Sequence, residues 1–462
     1  MMLFFRKIYF YFFLFFILYS CGGGSSGQTQ SVAQTQIFNW EVVSPESQGM
    51  SATKVQNALD FASLDGTYTQ AVLIIKNGKI IGENYRGIGS QEKLNLINHS
   101  ETSHTNDSLD SEYGSRNNLS KVTSWSIGKS ITSIIFGIAQ AQGYFTSGLD
   151  VSASIYISEW ANDSRSSITI RNLLDMRSGL EPGCFNALTS QWEVCNGTSI
   201  SSGGSISSAP NTITGCIDRN LAATGQTHAW YYGGVLNFDS GDFEYSNCDS
   251  QVLGEILFRA TGKDIKTFGD TYLFSKLGII ADWWRDQASG GQANGNYLSY
   301  CCIDATPRDF AKIALLIINN GIWLGEQIIP SSYIQAIKNI TTTSKVEELG
   351  GNFSYGLKFW TIVNRDNCGI DQNQKCLDNN SIHSAIGFDG QYMMMDFTQN
   401  LIAIRFSLAR MSTAYSGQKK MFINYENLEN SNFIYSVPAL ITYPNSLEQN
   451  FYGAGFWHAL NN

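Results

Sequence analysis

The segment that most constrains the fold of this chain is a long apolar stretch, residues 126–142, which ends before Gly143. Its large apolar side chains cover most of the circumference of a helix, at Ile131, Ile134, Ile135, Phe136 and Ile138. A helix that is apolar on nearly every side has to be surrounded by other elements. Glycine is a favourable residue just after the C-terminus of a helix. The sequence therefore predicts a central buried helix inside a large core.

Strand patterns occur on both sides of this helix in the sequence. Two apolar runs, residues 72–75 and 80–81, enclose an Asn-Gly pair at 77–78, which is a strong hairpin signal. Later strands are predicted at residues 355–360, 392–397 and 401–406. Because strands at both ends enclose helices, the sequence predicts an α/β (α+β) protein whose sheet-forming domain is interrupted by a mainly helical one.

The remaining segments complete the predicted organisation. Further helices are predicted at residues 51–62, 169–176, 251–259 and, after the capping box of Thr306 and Asp309, up to Gly321. Residues 88–121 are predicted to form a long polar loop, and residues 184–226 a Ser/Gly/Asn-rich insertion. The predicted division is 37–125 and 301–462 for the two parts of the α/β domain, and 126–300 for the mainly helical domain that carries the apolar helix.

Composition excludes one class of function. The chain has 462 residues, of which 43% are hydrophobic, and that is enough for a large core. Its formal net charge is −9. Because a phosphate backbone is bound by clustered positive charge, an acidic chain without a basic stretch is not expected to bind nucleic acid.

The N-terminal residues have the pattern of an export signal. Arg6 and Lys7 precede a short apolar run, residues 8–19, which is shorter than the roughly 20 residues that span a bilayer. The run ends in L-Y-S-C at residues 18–21, which resembles the lipobox of bacterial lipoproteins. We therefore predict a signal peptide over 1–20, lipidation at Cys21 and a flexible tether over 21–36. An ordinary cleaved signal is the alternative. The predicted location is outside the cytoplasm, in the periplasm or at the cell surface, with the protein anchored to a membrane by its lipid.

Cysteine usage agrees with an oxidising compartment. The chain contains nine cysteines, and removing Cys21 leaves an even number. Cys184 with Cys195, and Cys368 with Cys376, are close enough in sequence to close small loops. The other four, whose pairing the sequence leaves open, are Cys216, Cys248, Cys301 and Cys302.

The apolar helix begins with a pattern that suits nucleophilic catalysis. Ser126 and Lys129 form an S-x-x-K tetrad, and residues three apart share a helix face, so that hydroxyl and amine can touch. A lysine in apolar surroundings has a lowered pKa and can act as a base. The same spacing occurs at Ser51/Lys54, Ser90/Lys93 and Ser416/Lys419, which lie at a helix cap and in polar segments. Only Lys129 belongs to the most buried predicted helix, where an unpaired charge is costly.

A second pattern, Y-S-N at residues 245–247, supplies further candidates. Tyr245 could relay the proton from the serine to the leaving group, and Asn247 could hydrogen-bond both the lysine and a substrate carbonyl. The alternative is that Tyr245 only caps the helix that follows. Y-x-N also occurs at residues 425–427 and 443–445, so that the spacing alone does not decide between these interpretations.

Taken together, these motifs resemble those of a known family. The stretch S-W-S-I-G-K-S at 124–130 resembles the nucleophile helix of the class C β-lactamase and esterase family. The stretches at 168–180 and 307–323 are similar to structural segments of the same family, and the likeness extends from about residue 39 to residue 406. The resemblance implies the fold of serine β-lactamases and penicillin-binding proteins, in which helices flank an antiparallel sheet and a mainly helical domain is inserted.

The third motif of that family differs in this chain. β-Lactamases and penicillin-binding proteins carry K-T-G on a strand, whereas this chain has H-S-A-I-G-F-D-G-Q at residues 383–391. The G-x-x-G-Q part resembles the branch that includes 6-aminohexanoate-dimer hydrolases. That resemblance implies that Gly387 and Phe388 lie at the site, with the N–H near Phe388 joining that of Ser126 in an oxyanion hole. His383 could replace the missing lysine or could be an ordinary histidine near a strand end, with its hydrogen bonds satisfied.

The function implied by the resemblance is acyl transfer to water through an acyl-enzyme. We expect a serine hydrolase with Ser126, Lys129 and Tyr245 as catalytic residues, small esters or amides as substrates, and no metal or organic cofactor. A β-lactamase or D-alanyl-D-alanine carboxypeptidase is the first alternative, and a non-catalytic binding lipoprotein on the same fold is the second. Because Asp389 replaces a cation in the third motif, neutral substrates are predicted to be preferred over anionic ones.

Overall fold

The computed structural model describes residues 38–98, 105–181, 183–186, 191–194, 211–221, 226–229, 235–238, 243–286, 295–340, 353–362, 382–387 and 390–408. The predicted signal peptide, tether and lipidation site at Cys21 therefore lie outside the described residues. Within those residues, no helix is long and apolar enough to cross a bilayer.

The strands, in chain order, are β1 (Thr69–Lys76), β2 (Lys79–Tyr85), β3 (Val122–Thr123), β4 (Gly183–Asn186), β5 (Gln191–Val194), β6 (Gln226–Ala229), β7 (Val235–Phe238), β8 (Asp282–Trp283), β9 (Ile303–Ala305), β10 (Ile322–Trp323), β11 (Glu326–Gln327), β12 (Phe353–Gly356), β13 (Phe359–Ile362), β14 (Ile382–Gly387), β15 (Gln391–Asp396) and β16 (Leu401–Ser407). The helices are α1 (Ala52–Ala62), α2 (Ser90–Ile97), α3 (Asn106–Tyr113), α4 (Ile127–Ala141), α5 (Ile170–Leu174), α6 (Thr212–Ile217), α7 (Asn247–Thr261), α8 (Ile265–Gly269), α9 (Ser275–Leu277), α10 (Pro307–Ile318) and α11 (Ser331–Lys338).

One seven-stranded antiparallel sheet joins the two ends of the described chain. Its strand order is β12-β13-β14-β15-β16-β1-β2, so that β1 and β2 from the N-terminal part extend a meander of five C-terminal strands. Strand β1 is buried on both faces, which explains its unbroken apolar run. Leu73 and Ile75 face one core, whereas Val72 and Ile74 face another. Strands at both ends of the chain thus form one sheet, as the sequence predicted.

Helices cover both faces of this sheet. Helix α1, capped by Ser51, packs its apolar side on one face, and α4 and α10 pack on the other. Helix α4 is buried from Ile127 to Ala139 because it also contacts α7 and α8. Its predicted central position is confirmed. The predicted capping box of α10 is present as well, with the Thr306 hydroxyl accepting from the N–H of Asp309 at 3.1 Å.

Two predictions about local structure are wrong. Residues 88–121 are not only loop, because they contain α2 and α3. Leu96, Leu109 and Tyr113 of these short helices pack in a small core of their own. The predicted strand at 355–360 is instead the hairpin of β12 and β13. Its turn residues, Leu357 and Lys358, adopt left-handed φ angles of 47° and 63°. Neither residue is a typical turn former, so this turn has no signal in the sequence.

Candidate active site

Ser126 lies at the N-terminus of α4, in a turn that the neighbouring chain fixes. Trp125 has a left-handed φ of 44°, an uncommon conformation for a bulky residue. The turn is held from one side: the N–H of Cys302 donates to the Trp125 carbonyl at 3.2 Å, and the N–H of Ile303 donates to Ser124 Oγ at 2.8 Å. These contacts set the position of Ser126, which is half-buried. At a helix N-terminus, the partial positive charge of the backbone favours a developing alkoxide.

Lys129 lies one turn along the helix and contacts the serine directly. Its Nζ donates to Ser126 Oγ and to the carbonyl oxygen of Tyr300, each at 2.9 Å. Only 1% of Lys129 is exposed. Burial, and secondarily the positive charge of Lys358, hold the pKa of Lys129 well below its ordinary value. The lowered pKa favours the neutral amine, which is the form that accepts a proton.

A glycine lets another chain segment approach this helix. A Cβ on Gly128 would lie 2.9 Å from the main-chain carbon atoms of Cys301, closer than such atoms pack. The neighbouring cysteines Cys301 and Cys302 are joined by a disulfide. The segment 299–303 thus carries the disulfide, the carbonyl that accepts from Lys129 and the donors that hold the serine turn. Sequence reasoning missed this segment, because adjacent cysteines by themselves do not indicate a location.

Tyr245 is brought to the same lysine. The Nζ of Lys129 lies 4.9 Å from the centroid of the Tyr245 ring. That ring stacks on Trp360, with centroids 5.6 Å apart, and meets Tyr355 edge-on at 5.9 Å. An aromatic wall, formed by Tyr245, Tyr355 and Trp360 from two distant parts of the sequence, therefore lies beside Lys129.

The helix cap next to Tyr245 is formed by a different residue. Ser246 is the N-cap of α7, and its hydroxyl accepts from the N–H of Asp249 at 3.3 Å. Asn247 is the first residue of α7 and is half-buried. A capping role thus belongs to Ser246, which leaves the side chain of Tyr245 to the aromatic wall. The role predicted for Asn247 stays a prediction.

The third motif reaches the serine turn through Gly387, the last residue of β14. A Cβ at this position would lie 2.4 Å from the carbonyl oxygen of Ser124 and 3.1 Å from the Cβ of Trp125. Only glycine allows this approach of strand and turn. Phe388 and Asp389 follow directly but lie outside the described residues, so the oxyanion hole with the N–H near Phe388 stays a prediction.

The end of the motif has a structural role. Gln391 is fully buried and joins β15 to β16: its Oε1 accepts from the N–H of Ser407 at 3.0 Å, and its Nε2 donates to Ser407 Oγ at 3.3 Å. Arg405, also buried, donates to the carbonyl of Gly390 at 2.8 Å and to Thr69 Oγ1 at 2.9 Å. These contacts fix the β14–β15 hairpin from behind.

His383 lies away from the serine turn. It precedes Gly387 by four residues on β14, which is about 13 Å along a strand. It is 2% exposed, and its ring meets that of Phe397 edge-on, with centroids 5.1 Å apart. This position favours the interpretation of His383 as a buried packing residue over that of a replacement for the motif lysine.

The described cysteines form two disulfides whose pairing the sequence left open. Cys216 of α6 is joined to Cys248 of α7, three residues after Tyr245, and Cys301 is joined to Cys302. The predicted bonds Cys184–Cys195 and Cys368–Cys376 involve side chains outside the described residues, and they stay predictions.

Known proteins share the sequence pattern and the fold. The family model described as Beta-lactamase matches residues 66–414. The 6-aminohexanoate-dimer hydrolase of Paenarthrobacter ureafaciens is 23% identical over 176 residues, which are 36% of this chain and 40% of that protein. The matched part is therefore less than half of that relative.

Solved structures extend the likeness over most of the chain. A Bacillus anthracis protein described as a candidate 6-aminohexanoate-dimer hydrolase has a TM-score of 0.53 at 17% identity, covering 87% of this chain and 89% of that one. EstCE1, described as a hydrolase with promiscuous acyltransferase activity, has 0.52 at 14%, covering 83% and 98%. A penicillin-binding protein homologue from Caulobacter crescentus has 0.51 at 11%, covering 83% and 96%. At these identities the likeness shows a common fold alone.

Proposed function

This chain belongs to the beta-lactamase family and has the fold of β-lactamases and penicillin-binding proteins, and we propose that it is a serine hydrolase of small esters or amides. One observation carries the proposal: Lys129 Nζ lies 2.9 Å from Ser126 Oγ. Lys129 is also buried, with a lowered pKa. A neutral amine within hydrogen-bond reach of a hydroxyl is the geometry that general-base activation of a nucleophile requires.

The proposed acylation step uses residues on two elements. Ser126 Oγ attacks the substrate carbonyl while its proton passes to Lys129. The resulting tetrahedral oxyanion accepts from the N–H of Ser126 and from that near Phe388. The proton then reaches the leaving alcohol or amine by way of Tyr245, whose ring lies beside Lys129, and the bond from the carbonyl carbon to the leaving group breaks. Ser126 is left esterified with the acyl group.

Deacylation repeats this chemistry with water as the nucleophile. Water loses a proton to the same Lys129 and Tyr245 pair and attacks the ester carbon. The carbonyl carbon then releases Ser126 Oγ, which regains its proton, and a carboxylic acid leaves. No step needs a group besides those of the chain and water.

The test of the proposal is covalent labelling with a neutral fluorophosphonate. Ser126→Ala should abolish both labelling and hydrolysis of p-nitrophenyl butyrate, with an unchanged circular dichroism spectrum. Ser90→Ala is the matched control, because Ser90 and Lys93 have the same spacing on the surface helix α2. Labelling of the Ser126→Ala variant at full rate would contradict the proposal, and its loss in Ser90→Ala would place the nucleophile elsewhere.

A further inference from the structure

A second buried lysine, Lys358, lies on a turn that contacts the helix of the proposed base, and it has no part in the steps described above. Only 1% of Lys358 is exposed. It occupies the second position of the β12–β13 turn with a φ of 63°, and Leu357 before it has a φ of 47°. Such turns usually take Asn and Gly, because left-handed φ angles are unfavourable for larger side chains. A buried lysine in this conformation needs compensating contacts.

These contacts join the Lys358 side chain to the end of α5. Its Nζ donates to the carbonyl oxygen of Leu173 at 2.5 Å and lies 3.1 Å from the Sδ of Met176. Met176 also binds the segment that carries Tyr245: its carbonyl accepts from the N–H of Glu244 at 2.9 Å. The ammonium group is therefore held directly behind the aromatic wall.

The main chain of Lys358 is tied to the nucleophile helix. Its carbonyl oxygen accepts from the hydroxyl of Ser130 at 2.5 Å, and its N–H donates to the carbonyl of Leu174 at 3.1 Å. Ser130 follows Lys129 directly on α4. The turn that carries one buried lysine is thus fixed to the helix that carries the other.

The charged and titratable groups around the pair come from several elements. The amine of Lys129 lies over the rings of Tyr245 and Tyr300 and is acted on by the charge of Lys358. Lys358 is in turn acted on by the charges of Asp249 and Asp175. The electrostatic partners of these two carboxylates include Arg171, Arg177, Arg219 and Tyr355. Asp249 is 1% exposed and accepts from Ser178 Oγ at 2.7 Å. Asp175 accepts from the N–H of Leu357 at 2.7 Å.

We propose that Lys358 is a positioning residue for Lys129: its buried ammonium, on a turn fixed to α4, keeps the Lys129 amine unprotonated so that it can accept the proton of Ser126. The inference rests on the proposed function, because it concerns the same nucleophile and base. It assigns to the β12–β13 turn an electrostatic role besides its packing role.

The electrostatics follow from two like charges inside the protein. Neighbouring ammonium groups repel each other, and burial strengthens the repulsion. Burial lowers the pKa of Lys358 to about 7, against the attraction of Asp249 and Asp175, so that Lys358 is charged below that pH. A base works only when it is neutral, so its activity rises with pH through its pKa. Removing the Lys358 charge raises the pKa of Lys129 and moves this rise to higher pH.

The experiment measures the second-order rate of labelling by a neutral fluorophosphonate between pH 5 and 10. Lys358→Gln keeps a donor for the Leu173 carbonyl but removes the charge. On the acid side of the profile its rate should fall about tenfold, and it should recover at alkaline pH. Lys358→Arg keeps the charge, and its profile should have the midpoint of the parent protein. Lys358→Met serves as the neutral variant if Lys358→Gln does not fold.

A matched control separates this role from a structural one. Lys338 is a half-buried lysine on α11 whose pKa burial also lowers, and it binds Asn320 rather than the site. Lys338→Gln should leave the profile unchanged. An unmoved midpoint in the neutral Lys358 variants, or an equal shift in Lys358→Arg, would overturn the inference while the proposed function stands. Labelling that persists in Ser126→Ala would instead overturn the proposed function.

Discussion

Lys129 is 1% exposed, so that its side chain has lost most of its hydration, and two hydrogen bonds to other described residues replace part of it. The second partner is a neutral carbonyl, that of Tyr300, and the positive charge of Lys358 disfavours the protonated amine. A carboxylate in this place would stabilise the charged form instead. The described surroundings of Lys129 therefore favour the neutral amine, which is the form that acts as a base.

At the residue scale, we predict that Gly387→Ala separates β14 from the serine turn. The new Cβ would lie 2.4 Å from the Ser124 carbonyl, and that main-chain atom cannot move without moving Ser126. The labelling rate should fall by at least about tenfold, since displacements of about 1 Å are costly in catalysis. Gly325→Ala is the control: its φ of 85° makes the change locally strained, but its Cβ meets no atom within 4 Å and cannot displace the serine turn. Equal labelling rates in both variants would contradict the prediction.

At the scale of elements, the segment 299–303 holds α4 in position through hydrogen bonds. Its last residue, Ile303, is the first residue of β9, the middle strand of the three-stranded sheet β3-β9-β8. Its carbonyls also accept from α4, Tyr300 from Lys129 and Ser299 from the Thr132 hydroxyl at 2.6 Å. Small shifts of this segment therefore change the geometry of the proposed nucleophile and the proposed base together.

We predict that the two described disulfides act differently when removed. Cys216–Cys248 closes a loop with a sequence separation of 32, so that its double serine variant should lose about 3 to 4 kcal/mol of unfolding free energy. Cys301–Cys302 has a separation of 1 and constrains little of the unfolded chain. Its double serine variant should lose little stability but label more slowly, because the disulfide constrains the backbone of Cys302, whose N–H donates to the Trp125 carbonyl. Thermal unfolding and labelling rates measure both effects; a reversed order of the two stability losses would contradict this prediction.

At the scale of the whole molecule, the charge at the third motif bears on substrate choice. Strand β14 carries neither lysine nor arginine, and Asp389 follows it in the sequence. Of the two buried lysines, Lys129 donates to Ser126 Oγ and to a backbone carbonyl. Lys358 contacts a backbone carbonyl and a thioether sulfur. Strand β14 therefore offers no lysine or arginine to bind the carboxylate of an anionic substrate.

We accordingly predict that neutral short-chain esters are hydrolysed with a higher kcat/KM than β-lactams. A nearby carboxylate should disfavour an anionic substrate by about one to two orders of magnitude. The comparison is p-nitrophenyl butyrate against nitrocefin, and Asp389→Lys should narrow the difference. A nitrocefin value equal to or above the ester value would favour the β-lactamase alternative.

We also propose that the protein is exported and anchored by a lipid at Cys21. The sequence supports this through its basic start, its short apolar run and the lipobox-like residues 18–21. In a bacterial host, the chain should incorporate labelled palmitate and enter the detergent phase on Triton X-114 partition. Cys21→Ser should abolish both, whereas Ser25→Ala in the tether should not. Palmitate incorporation that persists in Cys21→Ser would exclude this anchor.

The sequence was sufficient to predict the fold class and the helix that carries the proposed nucleophile. Both follow from periodicity: an apolar pattern around a whole helix requires burial, and a lysine three residues after a serine shares its face. The family resemblance and the fold were also correctly predicted, because the motifs are local and occur in the family order.

The side chains that surround that helix follow from tertiary contacts and not from the local sequence. Lys358 and Tyr300 are far from Lys129 in sequence, and their approach depends on a turn and a segment without local signals. The β12–β13 turn forms from Leu357 and Lys358 because tertiary contacts outweigh their poor turn propensity. The pKa of a buried base depends on charges that are distant in the sequence but near in the fold, since burial removes the solvent that would screen them. The sequence pattern indicates the proposed base, whereas the charges that act on its pKa follow only from the folded chain.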